Sequence, residues 1–550
     1  NTIVLKFGSS VLSNRAELPK AVHEIYRWYR DGWRVVAVVS ALDDTTENLL
    51  AEARDLSAEP EPFATAELLA TGERHSAALV GIALDRAGIR ARVVDPREID
   101  FATTGSPLDS EPTSVDRVAL DKLLSDYRVL VVPGFFGYGT DGRLRLLGRG
   151  GSDFSAVFLA DALEASRCRL IKDVGGVYEH DPAVASSTPT RRFATLGYAQ
   201  AIECAAQLIQ PKAVHFLEHR GAKAEVAGLA SSYESIVGPT VNEVVDGRRA
   251  APLRVLLLGL GTVGFGVYQR LVAQPDRFQI VGAFVRDRQK YVARGIDPAL
   301  LLTSREELDG IAADVVVDML PGLEPSQSLI RGYLYDGVEV ISANKVVVAE
   351  GGKEPLAYSA AVGGGAPMIE ALRREASQGQ IRAIAGVVNG TCNYVLDRCA
   401  EGVAFAEAVK AAQAAGFAEA NPDEDLSGRD AARKLRILAR IAFGREPDAI
   451  EIRPLSAETF ARRVVTRRPN ESLRHVARAW NLGRRIFGQV ELEAIPNDEP
   501  LSSITREWNQ LVITRANGEE ITVTGRGAGR WPTTEAVMAD LFEMVRKRGN

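Results

Sequence analysis

The sequence predicts an α/β protein of two consecutive nucleotide-binding halves, and three observations carry that prediction. Short apolar runs recur through residues 1 to about 240, with helix-length stretches between them: Ile3 to Phe7, Arg34 to Val39, Arg92 to Asp95, Val129 to Pro133 and Arg169 to Lys172. The chain then turns polar over Val241 to Pro252 (VNEVVDGRRAAP), and a second α/β unit opens at Arg254. Its first apolar run feeds a GxGxxG loop, Gly259-Leu260-Gly261-Thr262-Val263-Gly264, ahead of helix-compatible sequence, which is the context a dinucleotide loop requires.

Composition narrows the function classes. With 46% apolar and 25% charged residues over 550 positions, the chain has ample core for three or four domains at about 150 residues each. A net charge of -6 without a basic tract gives no surface for nucleic acid or an anionic membrane, so small-molecule substrates are expected. The four cysteines form no CxxC pair and the six histidines no zinc-ligand spacing. Neither a long apolar span nor a signal peptide is evident; the first residues, Thr2 to Leu5, read as a strand, and a cytoplasmic protein is expected.

Three loops of the first half carry phosphate chemistry: Lys6-Phe7-Gly8-Ser9-Ser10, the segment Leu147 to Ser155, and Lys172 to Pro182. Glycines let backbone N–H groups approach phosphate oxygens, and a helix starting after Gly150 adds its positive end. Singly, each loop reads as a tight turn; together with Lys6 at a strand end they read as a phosphate site. A Walker loop and protein-kinase signatures are absent.

In the second half, Ile280 to Val285, Val315 to Asp318 and Val338 to Ser342 read as further strands, extending a nucleotide-binding sheet to about residue 360. Beyond it comes a helix-rich segment, then strand-like Gln489 to Ala494, Leu511 to Thr514 and Ile521 to Thr524, and a final helix over Thr534 to Arg546. Within Gly416 to Lys434 (GFAEANPDEDLSGRDAARK), Ser427 is read as an N-cap, and Asp430 and Lys434 fall four apart on one face that Ile437 and Ile441 continue. Such a pair is usually a solvated surface pair, but the charged row runs into apolar residues and four more acids crowd its entrance.

The first-half motifs KFGSSV, VVSALDDTTENLL, TGERHSA, PGFFGYGTDGRLRLLGRGGSDFSA, KDVGGVYEHDP and QPKAV resemble, in order, those of the amino-acid kinase family and within it aspartate kinases. That resemblance implies an amino-acid-kinase-type α/β sandwich over 1–245, with ATP and magnesium as co-substrate. It implies that Lys6, Gly8, Ser9 and Lys212 neutralise phosphate charge, that Asp173, Tyr178 and Asp181 contact nucleotide, and that Thr45, Glu73, Arg149 and Asp153 hold aspartate. The sequence departs from the family in reading KFGSS for KFGGTS and in placing Gln210 before the proline.

In the second half, Ser342 to Lys345, Ala361 to Pro367 and Gly386 to Tyr394 lead into the acid-rich stretch, and with Gly525 to Gly529 they resemble homoserine dehydrogenases. The implied architecture is a linker at 246–252, a Rossmann-type dinucleotide-binding domain at 253–360 completed by a helix at about 533–546, and an α+β catalytic and dimerisation domain at 361–532. The implied site has Lys434 and Lys345 handling the proton and the carbonyl, with Asp430 binding the amino alcohol and helping to set the lysine's orientation. Glu419, Asp425 and Asn389 fall on the substrate side, and Gly259, Gly261, Thr262, Val263, Gly264 and Ser342 on the cofactor side. Arg286, after the second strand, suits a 2'-phosphate and favours NADP, with NAD as the alternative. The family's monovalent cation would use the backbone carbonyls of Val362 and Gly364, but Ser359 stands where relatives have a glutamate. A homodimer is implied. The short joint leaves no room for ACT-type regulatory modules, so threonine feedback through them is not expected. The rival reading is an active dehydrogenase whose first half only binds or scaffolds.

Overall fold

The computed structural model describes residues 1–548 apart from 182–189, 207, 232, 247–250, 351–355 and 419–420. The chain divides into two compact units, Asn1–Ala250 with Arg546–Asn550, and Ala251–Val545.

The first unit is built on a nine-stranded sheet with a parallel centre, in which Arg167–Lys172, Thr2–Phe7, Arg34–Val39 and Val129–Pro133 lie side by side. These strands are buried almost throughout, and Arg34–Val39 and Val129–Pro133 read as nearly unbroken β-branched and aliphatic runs, as expected when helices cover both faces of a sheet. Helix Gly151–Ala162 packs its buried Phe154, Val157 and Phe158 onto that core. Its start depends on Gly150, whose φ of 75° is a left-handed conformation that side chains disfavour. A four-stranded sheet of Asp109–Ser114, Ala102–Ser106, Phe136–Tyr138 and Leu144–Leu146 completes the unit.

The second unit holds two six-stranded sheets. The first is parallel, with Leu253–Leu258 between Phe278–Phe284 and Val315–Asp318, and Glu339–Ser342 beyond. The reversal of strand order beside Leu253–Leu258 creates the crevice where open α/β sheets bind ligands. The last helix, Arg530–Arg548, lies against the helix that follows the glycine loop: Arg270 pairs with Glu535 at 3.2 Å. The second sheet pairs Ile381–Val387 with Glu471–Asn481 on one side and Trp508–Arg515 on the other, all antiparallel. Helices Met368–Gln378 and Arg429–Phe443 cover one face of it through Leu372, Leu435 and Leu438. Among the described residues no helix is long and apolar enough to cross a membrane.

Two expectations are corrected. Ser427 is not the N-cap of the Asp430 helix: it ends the short turn Asp423–Leu426, and Gly428, at φ 81°, starts helix Arg429–Phe443 one residue later. A Cβ at Gly428 would come within 2.9 Å of Ile452, so only glycine suits the break. The central strand Glu471–Asn481 does not stand out in the sequence because Arg474 and His475 lie buried within it, masking the apolar pattern.

Candidate active sites

In the first unit, a cavity of about 700 Å³ opens at the ends of the central strands, lined by Lys6, Gly8, Ser9, Glu73, Arg149 and Asp173 among others. Its floor is a buried charge cluster. Asp153, in the first turn of helix Gly151–Ala162, accepts from Lys6 Nζ at 2.8 Å, from Lys172 Nζ at 3.1 Å and from the Gln210 backbone N–H at 3.3 Å. Burial would raise the Asp153 carboxyl, but the two ammoniums outweigh it and hold the group below its ordinary value. Burial and then Lys6 push the Lys172 ammonium down to about 8, against the pull of Asp153. Within this cluster two lysines share one carboxylate.

Glu73 projects from the long helix Pro62–Arg86 into the same cavity. One oxygen accepts the Ala41 N–H at 3.2 Å, while the buried Oε2 has no partner among the described residues. Burial pushes this carboxyl up to about 7, against the Ala41 N–H and the more distant Lys6. Arg149 is exposed on the cavity wall, between Gly148 and Gly150.

Other residues expected at this site lie elsewhere. The Thr45 hydroxyl donates to the Leu42 carbonyl, and Thr46 rather than Thr45 lines the cavity. Lys212 is paired with Asp109 at 2.5 Å, Tyr178 bridges to Arg192, and neither these two nor Asp181 is among the lining residues. Asp153, expected to hold substrate, is instead enclosed by lysines. Lys172 opens a glycine loop and has no role legible in the sequence; its place beside Lys6 depends on strand Arg167–Lys172 pairing with Thr2–Phe7, which spacing along the chain does not reveal.

In the second unit, strand Leu253–Leu258 runs into Gly259, at φ 97°, and helix Thr262–Val272 starts from Gly261. A Cβ on Gly264 would sit 2.1 Å from the Gly259 carbonyl oxygen, so the loop closes only with glycine there. A Cβ on Gly261 would meet nothing within 4 Å, leaving open space at the helix start. An eleven-residue helix with free N–H groups facing that space fits a pyrophosphate. Arg286 is exposed just beyond strand Phe278–Phe284. Ser342, assigned to the cofactor, is fully buried and donates to Asp318 Oδ2 at 2.9 Å; Ser326 donates to the other oxygen at the same distance. Burial raises the Asp318 carboxyl against these donors.

Lys345, Asp430 and Lys434 come together. Asp430, 2% exposed, bonds Lys345 through Oδ1, and through Oδ2 it meets Lys434 Nζ at 2.8 Å and Asn389 Nδ2 at 2.9 Å. Burial would raise its carboxyl, but Lys434 and Lys345 hold it well below the usual carboxylate range. Lys434 also donates to the Val388 carbonyl at 2.6 Å. Asn389 caps helix Gly390–Ala400, accepting from the Cys392 N–H, and this leaves its amide to bond Asp425 Oδ1 at 2.7 Å as well as Asp430. Thr391 Oγ1 lies 2.9 Å from Asp425 Oδ2. Thr391 and the Val388 carbonyl were not expected; the first sits in the NGT motif and the second carries no side-chain signal. Glu419 lies outside the described residues.

The position expected to supply a carboxylate to a monovalent cation, Ser359, donates its hydroxyl and N–H to Asp540 at 2.7 and 3.1 Å. Val362 is fully buried and Gly364 sits at φ 54°. Among the described residues no three acidic, histidine or cysteine side chains gather as a metal site, and Ser359 brings no carboxylate to the expected cation position.

Sequence comparison agrees with this geometry. The amino acid kinase family profile matches residues 1–228, the homoserine dehydrogenase NAD-binding domain residues 259–370, and the homoserine dehydrogenase catalytic profile residues 367–542. A homoserine dehydrogenase from Synechocystis is 35% identical over 323 residues, covering 53% of this chain and 73% of that protein. An aspartokinase from Thermus thermophilus is 30% identical over 361 residues, covering 64% of this chain and 82% of its own. The chain belongs to the aspartokinase and homoserine dehydrogenase families. It is therefore an enzyme whose second unit is a homoserine dehydrogenase with a nicotinamide-binding domain, joined to an aspartokinase-like module. A solved homoserine dehydrogenase from Thiobacillus denitrificans shares 32% identity, covering 54% of this chain and 73% of its own, with a TM-score of 0.48.

Proposed function

We propose that the protein phosphorylates the side-chain carboxylate of L-aspartate with ATP and, in its second unit, reduces L-aspartate 4-semialdehyde to L-homoserine with NADPH. The donor count at Lys434 carries the dehydrogenase reading. An ammonium has three N–H bonds; Asp430 and the Val388 carbonyl take two, leaving one for a substrate oxygen. A dinucleotide with its pyrophosphate on the Gly259–Gly264 loop would supply the hydride from its nicotinamide. As charge grows on the aldehyde oxygen, Lys434 donates its remaining proton, and Lys345, tethered through the same Asp430, adds a second positive charge. Asp425 keeps lone pairs for the substrate ammonium, and the resemblance gives Glu419 the same role. Arg286 favours NADPH over NADH.

For the kinase reaction, an oxygen of the aspartate carboxylate attacks the γ-phosphorus, the bond to the bridging oxygen breaks, and ADP leaves. Lys6 and Lys172 neutralise the transferring group, Asp153 fixes both lysines, Glu73 meets the substrate ammonium, and Arg149 forks onto the α-carboxylate. Magnesium would arrive on the nucleotide phosphates. A homodimer, the assembly its resemblance implies, is tested by light scattering.

Two assays on the purified full chain decide the reading. ATP-dependent aspartyl hydroxamate formation should vanish in Lys6→Ala; no product above that variant would leave the first unit a binding module. NADPH oxidation with aspartate semialdehyde should collapse in Lys434→Ala, and unchanged turnover would sink the assigned role.

A further inference from the structure

The dehydrogenase unit contains a second cavity of about 690 Å³, built from helix Gly390–Ala400, helix Ala457–Thr466 and the segment Thr505 to Trp508. We propose that it binds a small organic anion with an apolar body, held by Arg467, Arg474 and Arg506.

The charges on its walls do not cancel. Glu401 is paired with Arg398, Glu507 with Arg526 at 3.4 Å, and Asp397 with Arg474 at 3.4 Å. Arg467 and Arg506 also face the cavity, and neither forms an ion pair with a described residue. Arg467 donates to the Glu471 carbonyl at 2.9 Å, and the Arg506 guanidinium makes no hydrogen bond among the described residues. Two exposed guanidiniums therefore lack a contact ion pair, with Arg506 reaching Asp397 only at longer range, and each presents the planar fork that suits a carboxylate or a phosphate.

Arg474 is the buried anchor. It is 6% exposed; Nη1 donates to the Leu473 carbonyl and Nη2 to the Ser502 carbonyl, both at 2.9 Å, while the buried Nε has no partner among the described residues. That N–H is enclosed by protein, so Arg474 lends the cavity wall its positive charge rather than a free donor. Arg506 is held at φ 53°, in the left-handed region, by its N–H on Asp397 Oδ2 at 2.7 Å and its carbonyl on Asn393 Nδ2 at 3.1 Å. Glycine would adopt that backbone more easily than arginine does.

The remaining wall is apolar. Helix Ala457–Thr466 buries no residue fully, although Phe460 and Val464 face the cavity opposite Leu396 and Trp508. An aliphatic or aromatic body would cover these groups. Helix Gly390–Ala400 connects this cavity, at Leu396 and Asp397, to the Asn389 cap that holds Asp425 and Asp430. An anion bound here would act on the helix that positions the dehydrogenase carboxylates.

Calorimetric titration of the full chain with phenyl phosphate, phenylacetate and benzyl alcohol tests the proposal and separates the two anionic heads. Phosphates also suit the nucleotide loops, so the readout is the difference between variants. At least one anion should bind the wild-type protein in a saturable event that weakens tenfold or more in Arg467→Gln and in Arg506→Gly, with no such event for the alcohol. Arg506→Gly relaxes the backbone and should unfold at the same or a higher temperature, so weaker binding there reports the guanidinium rather than damage. Anion binding unchanged in both variants, equal binding of benzyl alcohol, or no binding at all overturns the assignment. An oligomer that dissociates in Arg467→Gln, with no anion-linked heat, overturns it too, since a second copy would then fill the cavity.

Discussion

Glu73→Gln should stabilise the protein at pH 8 while abolishing its use of aspartate. Burial holds the folded Glu73 carboxyl at about 7, against 4.5 for an ordinary glutamate. At about 1.4 kcal/mol per tenfold, keeping it ionised in the empty cavity costs the fold about 3 kcal/mol. The native state binds this proton more tightly than the unfolded chain does. Stability linked to Glu73 is therefore intact below pH 4.5, falls as pH rises toward 7, and stays reduced above it. Glutamine keeps the shape and can still accept the Ala41 N–H, but has nothing to ionise. Urea unfolding of wild type and variant at pH 5 and pH 8 should show a gain for the variant of about 2 to 3 kcal/mol at pH 8 and little at pH 5. An equal difference at both values would refute the reasoning. The ligand supplies an independent check: an ammonium beside Oε2 should ionise Glu73, so aspartate binding at pH 6 should release a proton, seen as a calorimetric enthalpy that varies with buffer.

Four further outcomes are expected. Lys434→Ala should lower kcat for semialdehyde reduction about 10²- to 10⁴-fold, the range of general acid catalysis, with the KM for NADPH little changed. Kinase activity should decline as pH rises through about 8, where Lys172 loses its proton, and a pH–rate profile for hydroxamate formation would show that limb. Asp153→Ala leaves Lys6 and Lys172 buried without their carboxylate and should destabilise the protein by about 3 to 5 kcal/mol, measured by urea unfolding at pH 7. Because the folded Asp153 carboxyl lies below its ordinary value, the stability it lends is present above about pH 4 and lost as pH falls. Gly264→Ala would force a Cβ against the Gly259 carbonyl and should weaken NADPH binding tenfold or more, read by fluorescence titration, while hydroxamate formation persists.

Legibility in the sequence followed locality. Strands Arg34–Val39, Val129–Pro133 and Val315–Asp318 matched their apolar runs residue for residue, because parallel strands buried on both faces need nothing but apolar side chains. The Asp430 and Lys434 pair was legible because helical spacing alone puts the two on one face, and the core residues that follow show which way that face points. The Ser427 cap was misread because serine is the better capping side chain, while the chain needed a left-handed turn that only Gly428 supplies.

By itself the sequence determined two α/β units, a glycine loop that only glycine can close, and the lysines and carboxylates each unit would use. Those follow from period, turn chemistry and residue type, all local quantities. Tertiary structure alone decided how the charges are shared. It brought Lys172 next to Lys6 across neighbouring strands and enclosed Asp153 between them. It left Glu73 buried with an oxygen unpaired, and it drew Lys345 to Asp430 across 85 positions of chain. Burial and partnership set whether a carboxylate holds a proton, a lysine or a substrate, and both come from residues far away in sequence.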